Sequence, residues 1–147
     1  MNDWHIDVTA IAGLVALGLI GVHPKLVDVV EMAIQLTKQD FMVLEGVRTP
    51  ARQQELYAQG RTKPGPKVTW TLNSNHFKNP QTGYGHAVDL VPFPVDWSHK
   101  KLDVVSKAMF AAADTLGVQI RWGRDWNRNG KPAEKGETDS PHFELVI

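Results

Sequence analysis

"NSNHFKNPQTGYGHAVDLVPF", residues 73 to 93, decides how this chain is read. Its first half is turn-rich, with Pro80, Gly83 and Gly85, and its second half, "HAVDLVPF" (86–93), alternates and is apolar enough for a strand. His76, His86 and Asp89 all fall at this loop-to-strand junction. Polar, metal-capable side chains gathered where a loop enters a strand mark a place where a fold can present chemistry.

Outward from that junction the elements follow from their periodicity. "HPKLVDVVEMAIQLTKQDF" (23–41) sets Leu26, Val29, Val30, Met32, Ala33 and Leu36 on one helical face, with Pro24 in the first turn. "DFMVLEGV" (40–47) reads as a short core strand, and "TPARQQELYAQG" (49–60) as a helix with Thr49 as cap, Pro50 at the first position and Gly60 as stop. Prolines and glycine make "RTKPGPKVTW" (61–70) a loop, and "NPQTGYG" (79–85) a turn. "HKKLDVVSKAMFAAADTLGV" (99–118) spaces Leu102, Val105, Met109, Ala112 and Leu116 as a helix ending at Gly117, and "QIRWG" (119–123) and "HFELVI" (142–147) read as strands. Three or four strands with segregated helices predict an α+β fold around a small, mainly antiparallel sheet rather than a doubly wound parallel one.

At 147 residues the chain suffices for one domain, residues 1–147, since that length buries about two-thirds of its unfolded surface. Sixteen basic and sixteen acidic side chains cancel, which removes the broad positive field of a nucleic-acid binder. With no cysteine, any metal site must be built from His, Asp and Glu. The apolar run "AIAGLVALGLIGV" (10–22) is 13 residues, short of the roughly 20 a spanning helix needs, and is preceded by Asp3 and Asp7 with no Lys or Arg. Residues 1–22 are therefore expected to form a helical segment packed on the domain, with no stable membrane insertion; an export signal is the competing reading.

His76 and Asp89 flank one loop, and "ETDSPHFEL" offers Glu137, Asp139 and His142 before the last strand. Two histidines and a carboxylate can supply the three protein ligands of a catalytic zinc, with a fourth position left for water. Glu45 and Glu137 read as solvated acids near the motifs, with Glu137 as the substitute for Asp139, and Trp122 and Trp126 read as core or core-edge rings that could instead line a groove.

These motifs, in order, resemble the zinc D,D-peptidases and phage endolysins of the D-Ala-D-Ala metallopeptidase group, whose fold is shared with the hedgehog signalling domain. "GVHPKLVDVVEMAIQLTKQDFMVLEGVRTPARQQELYAQGRTKPG" is similar to the N-terminal half of phage L-alanyl-D-glutamate endopeptidases. "SNH…GHAVDL" matches S-x-H-x-x-G-x-A-x-D, and "WGRDW…DSPHFEL" matches their closing segment. The resemblance implies a zinc peptidase fold with His76, Asp89 and His142 as metal ligands. It further implies Asp139 as catalytic carboxylate, Arg48 as catalytic arginine, and Gln53 and Ser74 at the substrate. By the same resemblance the partner is the bacterial peptidoglycan stem peptide, cut at L-Ala–D-Glu by a monomer made in the host cytoplasm and acting in the periplasm or cell wall. A D,D-carboxypeptidase or dipeptidase, a zinc-bearing wall-binding module without activity, and a virion-associated enzyme are the alternatives. Asp139 favours an enzyme, because a module without turnover needs no carboxylate there.

Two departures from the pattern stand out. Twelve residues, 77–88, separate His76 from Asp89, so "FKNPQTGYG" (77–85) reads as an insertion beside the metal. Extra loop length costs only about 0.6 kcal/mol per doubling, so His76 can still reach; His86 is the competing ligand, although its spacing from Asp89 on a strand points it to the other face. Arg124 stands where related enzymes have glycine, either narrowing the groove or facing solvent.

Overall fold

The computed structural model describes residues 17–147. Helix α1 (Pro24–Leu36) starts where expected, but its cap is the His23 ring, whose Nδ1 accepts from the Lys25 amide at 3.1 Å. Leu26, Val29, Val30 and Ala33 form its buried stripe. Strand β1 (Phe41–Glu45) leads through Arg48 into α2 (Pro50–Ala58), capped by the Thr49 hydroxyl; Gln53 is the one buried residue of this helix. Strand β2 (Ala87–Pro92), helix α3 (His99–Leu116), strand β3 (Ile120–Gly123) and strand β4 (Asp139–Leu145) complete the chain. Gly117 closes α3 with φ 69°, a left-handed turn that glycine adopts without strain.

The four strands run antiparallel in the order β1-β2-β4-β3, the small sheet that the α+β reading expects. One difference matters: β4 begins at Asp139, three residues before the predicted start, because Asp139 pairs with Gly123 across a register shift in β3. Most of the expected N-terminal helix, residues 10–22, lies outside the described residues. Within them Leu19 and Val22 are buried, Leu17 and Ile20 face solvent, and Val22 bridges to Gly85.

Strand alternation divides the sheet into two faces. Phe41, Val43, Val88, Leu90, Ile120, Trp122 and Phe143 turn toward α1 and α3 and join their buried residues in one core. Trp122 stacks nearly parallel on Phe143, 6.1 Å between centroids, and its indole donates to the Ser140 carbonyl at 2.6 Å. Phe143→Ala is expected to lower stability by about 3–5 kcal/mol, since the cavity opens under the middle of the sheet; a denaturant titration showing less than about 1 kcal/mol would contradict that packing.

The insertion closes on itself. Asn79 donates its amide to the Tyr84 carbonyl at 2.8 Å, Gly83 donates back to the Asn79 carbonyl at 2.7 Å, and the Asn79 side chain accepts from Gln81 at 2.8 Å and Thr82 at 3.3 Å. The His86 amide then donates to the Asn75 carbonyl at 2.8 Å. The chain leaves and re-enters at one point, so the extra residues do not lengthen the path between the two parts of the motif.

Candidate metal centre

Register builds the centre. Glu45 on β1 is paired with Asp89 on β2, and Asp89 with His142 on β4, so three polar side chains lie in one row on the face opposite the core. His76 arrives from the loop: its amide donates to the Ser74 hydroxyl at 3.1 Å and its carbonyl accepts from the Arg48 amide at 2.9 Å. Burial is nearly complete, with His76 1% and His142 7% exposed.

Hydrogen bonds at the outer ring nitrogens fix both tautomers. His76 Nδ1 lies 2.8 Å from the Gly46 carbonyl and His142 Nε2 lies 2.8 Å from Glu144 Oε1; both partners are acceptors, so both nitrogens carry protons. His76 Nε2 and His142 Nδ1 are left with bare lone pairs, 3.3 Å apart, and each lies 3.3 Å from Asp89 Oδ1. Asp89 Oδ1 is itself buried with no hydrogen bond of acceptable geometry. Three lone pairs facing one another repel unless a cation sits among them. Tetrahedral bonds of about 2.0–2.1 Å to a zinc put neighbouring donors about 3.3 Å apart, so this His-Asp-His set fits the ion. Among the described residues it is the one such group.

In the metal-free protein a proton substitutes for that cation. Burial opposes charge on His142, but the Asp89 and Glu144 carboxylates beside its two ring nitrogens outweigh burial and push its pKa up to about 9. Asp89 is the counterpart: burial alone would raise its carboxyl, yet the His142 and His76 rings hold it well below the usual range.

Arg48 braces the other oxygen of Asp89. Its Nε and Nη2 grip both oxygens of Glu45 at 2.9 Å, Nη2 reaches Asp89 Oδ2 at 3.3 Å, and Nη1 donates to Gln53 Oε1 at 2.7 Å. Four of its five N–H groups are thus engaged, leaving one Nη1–H without a partner among the described residues. Gln53 is 1% exposed and its amide nitrogen is engaged with the Thr71 carbonyl at 2.7 Å and the Thr69 hydroxyl at 3.2 Å. Gln53 is thus buried behind Arg48 and holds it, with its amide nitrogen spent on the Thr69–Thr71 segment. Ser74, half-buried, uses its hydroxyl to orient the His76 backbone.

Asp139 Oδ2 lies 4.0 Å from His142 Nδ1, beside the cluster but outside bonding range, with 51% of its side chain still exposed. The protein atoms packed around it nevertheless raise its pKa, making it a better proton acceptor than an ordinary aspartate. Its backbone rests on Gly123, where an added Cβ would overlap the Asp139 carbonyl oxygen. Gly123→Ala is therefore expected to shift Asp139 and lower turnover at least tenfold without loss of metal, since about 1 Å of misplacement can cost a hundredfold. Turnover unchanged in that variant would contradict the contact.

Other candidates lie elsewhere. His86 turns into the insertion, with Nε2 2.7 Å from the Thr82 hydroxyl and its ring 5.4 Å from His23, and burial followed by the His23 charge lowers its pKa. Glu137 is buried in its own loop, accepting from the Glu134 amide at 3.1 Å. Arg124 reaches Asp103 on α3 at 2.9 Å, so it neither faces open solvent nor enters the metal row. The tryptophans divide: Trp122 is core, whereas the Trp126 ring lies 5.2 Å from His142. Glu45 and Glu144 were missed as supports. Glu144 had a legible signal, since two residues beyond His142 on a strand is the same face.

Residues 15–146 match the family described as phage L-alanyl-D-glutamate peptidase. The L-alanyl-D-glutamate peptidase of Escherichia phage T5 is 30% identical over 135 residues, 85% of this chain and 89% of that protein. The peptidoglycan L-alanyl-D-glutamate endopeptidase CwlK of Bacillus subtilis (strain 168) is 32% identical over 118 residues, 73% of this chain and 61% of that protein. Among solved structures, the Serratia marcescens L-Ala D-Glu endopeptidase ChiX aligns with a TM-score of 0.71 and 32% identity, covering 90% of this chain and 86% of that one. The vancomycin resistance D,D-dipeptidase VanXYg aligns with a TM-score of 0.54 at 18% identity, over 85% of this chain and 50% of that one, a likeness of fold.

Proposed function

The chain belongs to the phage L-alanyl-D-glutamate peptidase family, and from that premise we propose that it is a zinc-dependent peptidoglycan hydrolase that cuts the L-Ala–D-Glu bond of the stem peptide. The observation that carries the metal is the triangle of donor atoms, His76 Nε2, Asp89 Oδ1 and His142 Nδ1, each 3.3 Å from the others.

A zinc held by these three residues would supply a water acidified from a pKa of about 16 to about 7 and would polarise the scissile carbonyl. The side chains around it divide the remaining work. Asp139, close to the metal row yet open to solvent, takes the proton of the attacking water and returns it to the departing D-Glu amine. Arg48 keeps Asp89 Oδ2 occupied, so that Oδ1 alone faces the metal, and turns its remaining N–H toward substrate oxygen. Gln53 and Glu45 hold that guanidinium in place, and Trp126 shields one side of His142 from water.

Peptidoglycan reached by way of the host cytoplasm is the proposed place of action; no helix among the described residues is long and apolar enough to cross a membrane. The test is digestion of purified peptidoglycan, with mass spectrometry of the released peptides, with and without a chelator that zinc then reverses. New L-Ala C-termini paired with new D-Glu N-termini, abolished by the chelator, are expected. Released D-Ala alone would move the cut to the D,D-peptidase position, and intact muropeptides with zinc-loaded, folded protein would sink the proposal.

A further inference from the structure

We propose that Glu144 is the positioning residue that selects which nitrogen of His142 faces the metal, and that the same carboxylate holds the two histidine ligands together. The inference rests on the zinc reading above. Glu144 is buried, 5% exposed, and stands two residues after His142 on the same face of β4. Its Oε1 accepts from His142 Nε2 at 2.8 Å, while Oε2 accepts from Asn75 Nδ2 at 2.8 Å and from Arg121 Nη1 at 3.1 Å. Asn75 immediately precedes His76, so one carboxylate ties the segment of the first ligand to the ring of the third.

The selection follows from what a carboxylate can do. Ionised, it only accepts, so His142 must present a proton at Nε2 and a lone pair at Nδ1, the nitrogen 3.3 Å from Asp89 Oδ1. A glutamine of nearly the same shape breaks this logic. Asn75 and the charged Arg121 both donate toward Oε2, so the amide oxygen is drawn to them and the amide NH2 is turned toward His142. His142 Nε2 must then accept, its proton moves to Nδ1, and an N–H points at the metal position. The near-isosteric change is thus the damaging one.

Zinc affinity is to be measured by competition with a chromogenic chelator on the full chain, wild type against Glu144→Gln, with thermal melts of both metal-free proteins. Affinity weaker by at least tenfold, in a protein that still melts cooperatively, is expected; a loss of less than tenfold overturns the proposal. Should Glu144→Gln not fold, imidazole 15N shifts of the zinc-loaded wild type decide. Nδ1 coordinated and Nε2 protonated is the expected pattern, and the reverse overturns it. A wild type that binds no zinc would instead overturn the metal centre itself, a distinguishable failure.

Discussion

His142→Ala is expected to remove zinc from the protein and, with it, all peptidoglycan cleavage above the level of a chelator-treated control. The substitution deletes one corner of a triangle whose sides are each 3.3 Å, leaving His76 and Asp89 as a two-donor site. Asp139 lies 4.0 Å from the lost nitrogen, but as a ligand it would no longer be available to move protons. The variant also strips the buried Glu144 carboxylate of one of its three hydrogen bonds. Breaking a buried charged pair costs about 3–5 kcal/mol, so the melting temperature should fall as well. Metal content by elemental analysis and muropeptide release check the result, and a variant that keeps stoichiometric zinc and full cleavage would refute the ligand assignment.

Asp139→Ala should behave in the opposite way, retaining zinc while turnover falls by about 10²–10⁴-fold, the usual contribution of a positioned general base. Its carboxylate stands beyond bonding distance of the donor set and is half exposed, so its removal leaves the triangle intact and opens no buried cavity. Asp139 reaches its place through backbone pairing with Gly123, which alanine preserves. The two variants together separate holding the metal from using it. Zinc loss in Asp139→Ala, or unchanged turnover, would place Asp139 in the wrong role.

Much of this was legible along the chain. The apolar stripe of α1, the Thr49 cap and the Gly117 stop are local signals, and the three helices formed where their own residues called for them. The resemblance of short, ordered motifs to a family singled out His76, Asp89, His142 and Asp139, and the fold brings the first three together. The supports were harder to see. Glu45 grips Arg48, which in turn reaches Asp89 forty-one positions away, and Gln53 closes the far side of the guanidinium; nothing in local sequence tells a bracing pair from two solvated charges. Gln53 stands at the substrate only by the family resemblance; its burial depends on what folds over the side chain, here the Thr69–Thr71 segment.

By itself the sequence determined the elements and the antiparallel α+β class, because these follow from periodicity and capping, while the donor set came from the resemblance of its motifs to a known family. Tertiary structure decided which nitrogen each histidine offers, which oxygen of Asp89 is left over, and that His86 belongs to the insertion rather than to the metal row. Strand register brings Glu45, Asp89 and His142 into one line, and the closed loop from Asn75 to His86 cancels the inserted length. Lone pairs converge only after distant backbones have been paired, and pairing between distant backbones is a property of the fold as a whole.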